Sequence, residues 1–384
     1  MTGVDLAGLV RDLATAEPGA TVGVLDRHLG VLPWFAGSRL LLTDYGDRLL
    51  VDTAGPTRPL RPGELATDSF RSCHVRVGGA GHDTVVVVPL RVRADCIGVL
   101  EFDATAVPPD DELTALEAVG YIMGNVLAAA KHQLEHFQRV RRVQPMSLSA
   151  EIQWDLLSAR SEAGGGYVAA GWLEPAYDVG GDTFDLAGDV GALWVSSIDA
   201  MGHGLHSGVV SGVSLSAVRN ARRNGGGVAD QAAAVNEALL RLWEGERYAT
   251  LLLLRVDTAT GEVDAVNAGH PTARRVRAGT VEPVRLDVDV PPGLTGTASY
   301  HTQRFSLAPG DRLVVMSDGV AAAAVDGGMP YGPTRVDQDL LTFAPNNPVE
   351  TVRSLAWNVL RHSDQRLRDD ATIVCLDWEG GHGR

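Results

Sequence analysis

Residues 193–204 have the sequence LWVSSIDAMGHG, in which an apolar run ends at Asp199 and passes into a glycine-containing loop. The bulky apolar residues predict a β-strand, and the glycines predict a turn where the strand stops. The small residues around Asp199 allow a ligand or a second stretch of backbone to approach it closely. A carboxylate in this setting is a candidate ligand as well as an ordinary turn residue.

Three further aspartates share this setting. Asp182 follows two glycines, Asp318 ends a second apolar run, and Asp369 directly precedes a third. Each one alone is most simply a turn or helix-capping residue. Four such carboxylates together favour a site for hard divalent cations such as Mg²⁺ or Mn²⁺, because clustered carboxylates repel one another unless cations compensate them.

Length and composition exclude several classes of protein. The chain has 384 residues, enough for two domains of ordinary size, and a net charge of −15, which disfavours binding to nucleic acid. No apolar run reaches the roughly 18 residues of a membrane-spanning helix, and the N-terminal sequence does not have the pattern of a secretory signal. We therefore expect a cytoplasmic protein that does not bind membranes.

The first 110 residues alternate short apolar runs with turn residues, which predicts an α+β domain. Strands are expected near residues 40–42, 49–51, 85–88 and 97–100, the last two as a hairpin, after a helix over residues 6–13. From Asp110 the spacing becomes helical, with a heptad seam whose partner is either the same helix of a second copy or the domain's own sheet. The seam positions are Leu113, Leu116, Gly120, Met123, Leu127, Ala130, Leu134 and Phe137.

The glycines at 164–166 indicate a boundary, before which residues 149–159 have the spacing of a short amphipathic helix. After the boundary the chain is rich in strands, expected at residues 167–173, 193–198, 249–256, 262–266, 312–316 and 371–376. Helices are expected at 208–222, 230–243 and 348–362, and residues 257–261 form a turn suited to a hairpin. This order predicts antiparallel sheets covered by helices.

Five motifs in order make the second part similar to a known family. They are DVGGDTFD at residues 178–185, DAMGHG at 199–204, NAGHP at 267–271, SDG at 317–319 and DDAT at 369–372. Together they resemble the phosphatase 2C-like domain of bacterial stage II sporulation protein E-type phosphatases, over about residues 150–378. The resemblance implies an α/β sandwich of two antiparallel sheets flanked by helices.

The resemblance also implies a centre of two Mn²⁺ or Mg²⁺ ions. Asp199 is expected to bridge the ions, and Asp182 is expected beside the first ion together with the backbone carbonyl of Ala200. The second ion is expected on Asp318 and Asp369.

Asp370 is the alternative ligand if the last motif is matched one residue later than at Asp369. The motifs alone do not separate these two neighbouring residues.

Two histidines and two aspartates of the motifs are given other roles. Eukaryotic-type members of the family have a histidine two places after the bridging aspartate. This chain has Met201 at that position. We do not expect His203 to take the place of that histidine, since a loop histidine is the simpler interpretation. For His270 we favour a role in turn geometry over catalysis. Asp178 and Asp185 are expected to be structural or to lie behind the ligands.

The first domain has a weaker resemblance of its own. Residues 85–102 resemble the closing hairpin of a GAF domain, and that similarity extends over roughly residues 8–137. The expected organisation is a GAF-like sensory domain at 1–137 with a connecting helix at about 110–143, a linker helix at 144–163, and a catalytic domain at 164–384. The first domain either binds a small ligand or serves only for dimerisation, with a homodimer expected through the linker helix.

The implied function is hydrolysis of phosphoserine or phosphothreonine on a small anti-anti-sigma-type protein, under control of the first domain. One rival is a phosphatase-fold scaffold that acts as a signalling module; retention of all four aspartates argues against it. A nucleotide-dependent kinase or ATPase is a second rival, but the sequence has no Gly-x-x-x-x-Gly-Lys motif.

The segment 146–157, at the junction of the domains, leads to a first prediction. Replacing Leu156 or Trp154 with a polar residue should change phosphatase output without changing metal affinity, because a helix at this junction couples the two domains. Turnover of a phosphoprotein and calorimetric Mn²⁺ binding, measured on the same variants, check this. Unchanged turnover would count against the coupling.

Overall fold

A computed structural model describes residues 4–129, 135–157, 159–175, 177–178 and 180–381. The chain divides into two compact units, Met1–Pro145 and Met146–Arg384. Among the described residues, the helices are too short or too polar to cross a membrane.

The described part of the first unit has one six-stranded sheet and five α-helices. The strands are ordered β3-β2-β1-β6-β5-β4, and every neighbouring pair is antiparallel. The helices are α1 (Leu6–Thr15), α2 (Thr21–Leu29), α3 (Leu65–Ser72), α4 (Asp110–Ala129) and α5 (Glu135–Arg141), with short 3-10 turns at Pro18–Ala20 and Gly81–Asp83. The strands are β1 (Phe35–Thr43), β2 (Leu49–Asp52), β3 (Thr57–Pro59), β4 (Arg76–Gly78), β5 (Thr84–Val92) and β6 (Asp95–Ala104).

This arrangement confirms the α+β prediction and the hairpin of β5 and β6. The expected helix and all four expected strands are present, each somewhat longer than predicted. The sequence did not indicate α2, α3, β3 or β4, because these elements are short: β3 and β4 have three residues each, α3 has eight and α2 has nine. Segments of that length carry too few periodic positions to be recognised.

The heptad seam of α4 packs inside the first unit. Leu116, Met123 and Leu127 are buried in the same core as strand residues of β5 and β6. At Gly120 a side chain would collide with the carbonyl oxygen of Pro89 on β5, so the helix lies directly against the sheet. The sequence left two possible packing partners for this seam, and the domain's own sheet is the one observed. Two seam positions, Ala130 and Leu134, lie outside the described residues.

The second unit contains two antiparallel sheets. The five-stranded sheet has the order β15-β12-β11-β10-β9 and the six-stranded sheet the order β14-β13-β16-β17-β8-β7. The strands are β7 (Ser161–Gly164), β8 (Tyr167–Glu174), β9 (Asp182–Asp189), β10 (Ala192–Ala200), β11 (Ala249–Asp257), β12 (Glu262–Ala268), β13 (Arg274–Arg277), β14 (Thr280–Pro283), β15 (Gln303–Ser306), β16 (Asp311–Met316) and β17 (Ala371–Trp378). The helices are α6 (Leu148–Leu156), α7 (Leu205–Arg223), α8 (Val228–Trp243), α9 (Asp318–Ala322), α10 (Gly332–Thr342) and α11 (Pro348–His362).

The two sheets pack face to face and helices cover their outer faces. Phe184 of β9 lies on Gly171 of β8, where a side chain at residue 171 would overlap the phenyl ring. Helices α7 and α8 share a core with β10, β11 and β12, whereas α11 packs on β8 and β17. The expected sandwich of two antiparallel sheets flanked by helices is confirmed for this unit.

Two expectations around residues 144–166 are wrong. The expected linker helix over 144–163 is shorter, because Ser147 caps α6 through its Oγ, 3.2 Å from the amide nitrogen of Ala150, and Leu157 is already extended. Residues 161–164 instead form β7, which pairs with β8. The glycines at 164–166 form the turn between these strands, where Gly166 has φ 87°, and do not separate two units.

Candidate metal centre

Two of the four aspartates face each other across neighbouring strands. Asp182 begins β9 and Asp199 lies near the end of β10, and the two are paired residues in the antiparallel register. The amide of Ala200 donates to the carbonyl oxygen of Gly181 at 3.2 Å, which holds the strand ends together. Asp182 is buried and Asp199 is half-buried, so one end of the five-stranded sheet carries two carboxylates with little access to water.

The carboxylate of Asp370 joins this end to the second sheet. Its Oδ2 accepts hydrogen bonds from the backbone amides of Gly180 at 2.7 Å, Gly181 at 2.5 Å and Asp182 at 3.2 Å. Asp370 directly precedes β17, a strand of the six-stranded sheet. Burial raises the pKa of Asp370 to about 6, although the three amide donors oppose this shift.

Asp318 and Asp369 lie at the matching end of the six-stranded sheet. Asp318 begins α9 directly after β16, and Ser317 fixes this junction to β17 through its amide to the carbonyl oxygen of Thr372, at 3.0 Å. A side chain at Gly319 would overlap the carbonyl oxygen of Asp370, so the two segments touch backbone to backbone. Both carboxylates, those of Asp318 and Asp369, are exposed.

The pKa shifts show that these carboxylates act on one another. Burial, together with the charges of Asp318, Asp369 and Asp370, raises the pKa of Asp199 to about 7. Burial raises the pKa of Asp369, to which the charge of Asp318 adds. The predicted aspartates lie at one end of the sandwich, because Asp182 pairs with Asp199, its amide donates to Asp370 Oδ2, and Gly319 touches the backbone of Asp370.

Asp182 supplies the test of whether a cation fits here. Its Oδ2 is buried and has no hydrogen-bond partner. Burial raises the pKa of Asp182 well above its ordinary value, and the charges of Asp199 and Asp370 act in the same direction. An unpartnered buried carboxylate oxygen beside other carboxylates is costly on its own and suits an oxygen-preferring divalent cation.

The side chains are not already closed around such an ion. Over the part of the chain that the structure describes, no three His, Cys, Asp or Glu side chains are spaced to enclose a metal.

His270 is built into the fold rather than presented to solvent. Its Nε2 lies 3.0 Å from Ser197 Oγ and its Nδ1 lies 3.0 Å from Thr250 Oγ1. Asn267 closes the turn by accepting from the His270 amide and donating to its carbonyl oxygen, both at 2.9 Å. Burial lowers the pKa of His270 to about 3, so the imidazole is neutral.

The remaining motif residues have distinct positions. His203 is exposed in the loop after β10, and Met201 is half-buried. Asp185 is buried in an ion pair with Arg219 at 2.7 Å and Arg222 at 2.8 Å, whereas Asp178 is exposed.

Sequence reasoning missed one contact to this centre. Gln153 of α6 is fully buried, and its Nε2 lies 2.5 Å from Ser211 Oγ and 3.5 Å from the carbonyl oxygen of Gly180. The available signal was a polar residue between Ala150, Trp154 and Leu157 on the apolar face of the helix. Helix α6 therefore touches the loop whose amides hold Asp370.

Residues 189–379 match the model of the stage II sporulation protein E family. This range includes Asp199, Asp318, Asp369 and Asp370 and begins after Asp182. No curated protein matches the sequence significantly.

Three solved structures share the fold of the second unit. The RsbU and RsbW domains of Rv1364c from Mycobacterium tuberculosis are 22% identical with TM-score 0.51, covering 58% of this chain and 63% of that one. The phosphatase domain with a regulatory fragment of SpoIIE from Bacillus subtilis is 19% identical with TM-score 0.50, covering 59% and 66%. The SiaA-PP2C domain of Pseudomonas aeruginosa is 19% identical with TM-score 0.51, covering 60% and 93%. This chain thus spans less than two thirds of the length of the first two.

The buried His270 leads to a prediction about pH. In the unfolded chain a histidine has a pKa of about 6.5, so below that pH the unfolded state binds a proton that the folded state excludes. Stability due to His270 is therefore present above about pH 6.5 and is lost as pH falls toward 3. Between pH 7 and pH 5 the wild type should lose about 2 kcal/mol more of its free energy of unfolding than His270→Gln.

Urea denaturation at each pH measures this difference. His206→Gln, at an exposed position of α7, is the matched control and should follow the wild-type curve. Parallel curves for wild type and His270→Gln would contradict a buried neutral imidazole.

Proposed function

Because its second unit carries a domain of the stage II sporulation protein E family, we propose that this chain is a metal-dependent protein serine/threonine phosphatase. The observation that carries the proposal is the gathering of Asp182, Asp199, Asp318 and Asp369 at one end of the sandwich, with a buried oxygen of Asp182 left unpartnered. A fold that served only as a scaffold would gain nothing from this electrostatic cost.

In the proposed centre Asp199 would be a ligand shared by two divalent ions. Asp182 and the carbonyl oxygen of Ala200 would serve the first ion, and Asp318 and Asp369 would hold the second. The strand register that opposes Asp182 to Asp199, and the effect of Asp318 on the pKa of Asp369, support this division.

Asp369 is favoured over Asp370 as the ligand. The Oδ2 of Asp370 is occupied by three backbone amides and its side chain is buried, whereas Asp369 is exposed next to Asp318. Asp370 is then a positioning residue, which fixes the loop that leads into Asp182.

When bound, the two ions supply Lewis-acid stabilisation of the phosphoryl oxygens and an activated water for attack on phosphorus. The chain's own residues would hold the ions and orient the substrate. Asp182 and Asp199 lie on the inner side of the proposed centre, and Asp318 and Asp369 lie on the side that is open to solvent. A phosphorylated side chain has access from that open side. With Met201 in place of a histidine, no general acid is assigned at that position.

The proposed substrate is a phosphoserine or phosphothreonine on a small anti-anti-sigma-type protein. Support comes from the motif resemblance and from the neighbours, one of which joins RsbU and RsbW domains. The first unit is proposed as a GAF-like regulator that binds a small ligand or supports a homodimer, with the linker helix as the dimer contact. The contact of Gln153 with Gly180 gives that helix a direct route to the centre.

Replacing Asp199 with alanine tests the enzyme proposal. Removing the bridging carboxylate should lower Mn²⁺-dependent hydrolysis of p-nitrophenyl phosphate by orders of magnitude, because both ions lose a ligand. Asp189→Ala is the matched control, since Asp189 is an exposed aspartate at the other end of β9. Equal rates for wild type and Asp199→Ala would contradict the phosphatase proposal and favour the scaffold interpretation.

The number of bound metal ions distinguishes whether Asp369 or Asp370 is the ligand. Asp369→Asn should reduce calorimetric Mn²⁺ binding from two ions to one, because it removes a ligand of the second ion. Asp370→Asn keeps an oxygen that accepts from the amides and should still bind two ions, with weaker affinity. The opposite pattern would assign the ligand to Asp370.

A further inference from the structure

We propose that a cleft beside Asp318 selects the substrate by receiving an aliphatic side chain that lies two residues from the phosphorylated one. This inference rests on the proposed function and adds to it a rule for which phosphoproteins are substrates. The cleft has a volume of about 370 Å³ and includes Asp318 itself in its lining. It therefore adjoins the acidic centre.

The walls of the cleft are apolar and preformed. Met316, Val320 and Val336 come from β16, α9 and α10 and are almost fully buried, so their side chains are fixed by the core behind them. The volume is at the lower end of ligand pockets, which span roughly 300–1,000 Å³. That space suits one or two aliphatic side chains rather than a large cofactor.

The rim of the cleft is exposed and rigid. Pro283 and Pro333 lie on it with Thr272 beside them, all three exposed to solvent. Proline fixes its own φ, so little backbone freedom is lost when a peptide covers the rim.

The charge of the cleft favours an apolar occupant over an acidic one. Arg274 is the cation among its lining residues, and its Nε lies 3.2 Å from Asp337 Oδ1, so its charge is already compensated.

The position of the occupant follows from strand geometry. In an extended peptide alternate side chains point to the same side, about 7 Å apart, whereas neighbours point to opposite sides. When the phosphorylated side chain points into the centre, the residues two places away point at the surface beside it. One of these two positions should therefore enter the cleft.

Phosphothreonine peptides test this selection. One pair has Leu or Ala two places before the phosphothreonine, a second pair has them two places after, and a third pair has them at the adjacent position. In one of the first two pairs the wild type should favour Leu by roughly tenfold in kcat/KM, the scale of one buried aliphatic group. The adjacent-position pair should show a ratio near one.

Filling the cleft should abolish the preference. Thr272→Trp places an indole at the rim and should bring the Leu-to-Ala ratio close to one. Thr280→Trp is the matched control, because Thr280 is an exposed threonine of β14 outside the cleft, and should keep the wild-type ratio.

The outcomes separate the two proposals. If the wild type does not hydrolyse p-nitrophenyl phosphate with Mn²⁺, the phosphatase proposal fails. If it does, a Leu-to-Ala ratio near one in all three peptide pairs overturns the cleft proposal alone. A ratio that Thr272→Trp leaves unchanged also overturns it, because the preference would then arise elsewhere.

Discussion

The three hydrogen bonds from a short loop to Asp370 Oδ2 are the constraint on which the candidate centre depends. The amides of Gly180, Gly181 and Asp182 lie at the start of β9 in the five-stranded sheet. Asp370 directly precedes β17 in the six-stranded sheet. Charge-assisted bonds from backbone donors are among the stronger hydrogen bonds in proteins. By joining one end of each sheet they bring Asp182 and Asp199 next to Asp318 and Asp369.

This gathering has an electrostatic cost. Burial and neighbouring carboxylates together raise the pKa of Asp182, and of Asp199 to about 7. A protein without need of cations would relieve this crowding with amides or hydroxyls, which carry no charge. Here the fold retains it, and the exposed Asp318 and Asp369 leave one side of the centre open toward the apolar cleft.

Helices α4 and α6 each pack on elements of their own unit. The heptad positions of α4 face the sheet of their own unit, where Gly120 allows the helix to lie against Pro89. Helix α6 belongs to the second unit and inserts Gln153 between α7 and the Gly180 loop. The regulatory hypothesis therefore acquires a specific contact, from the linker helix to the loop that holds Asp370.

The sequence by itself indicated antiparallel sheets covered by helices, most of the long strands and helices, and the four aspartates proposed as metal ligands, because apolar periodicity and turn residues are local properties. It did not reveal β9 as a strand, since DTFDLAGD carries three aspartates, and the burial of Asp185 depends on Arg219 and Arg222, which are distant in the chain. Only the tertiary structure decided the distinct surroundings of Asp369 and Asp370, the neutral state of His270 and the packing of the α4 seam. Each of these depends on contacts between segments far apart in sequence, and a one-dimensional pattern contains no distances.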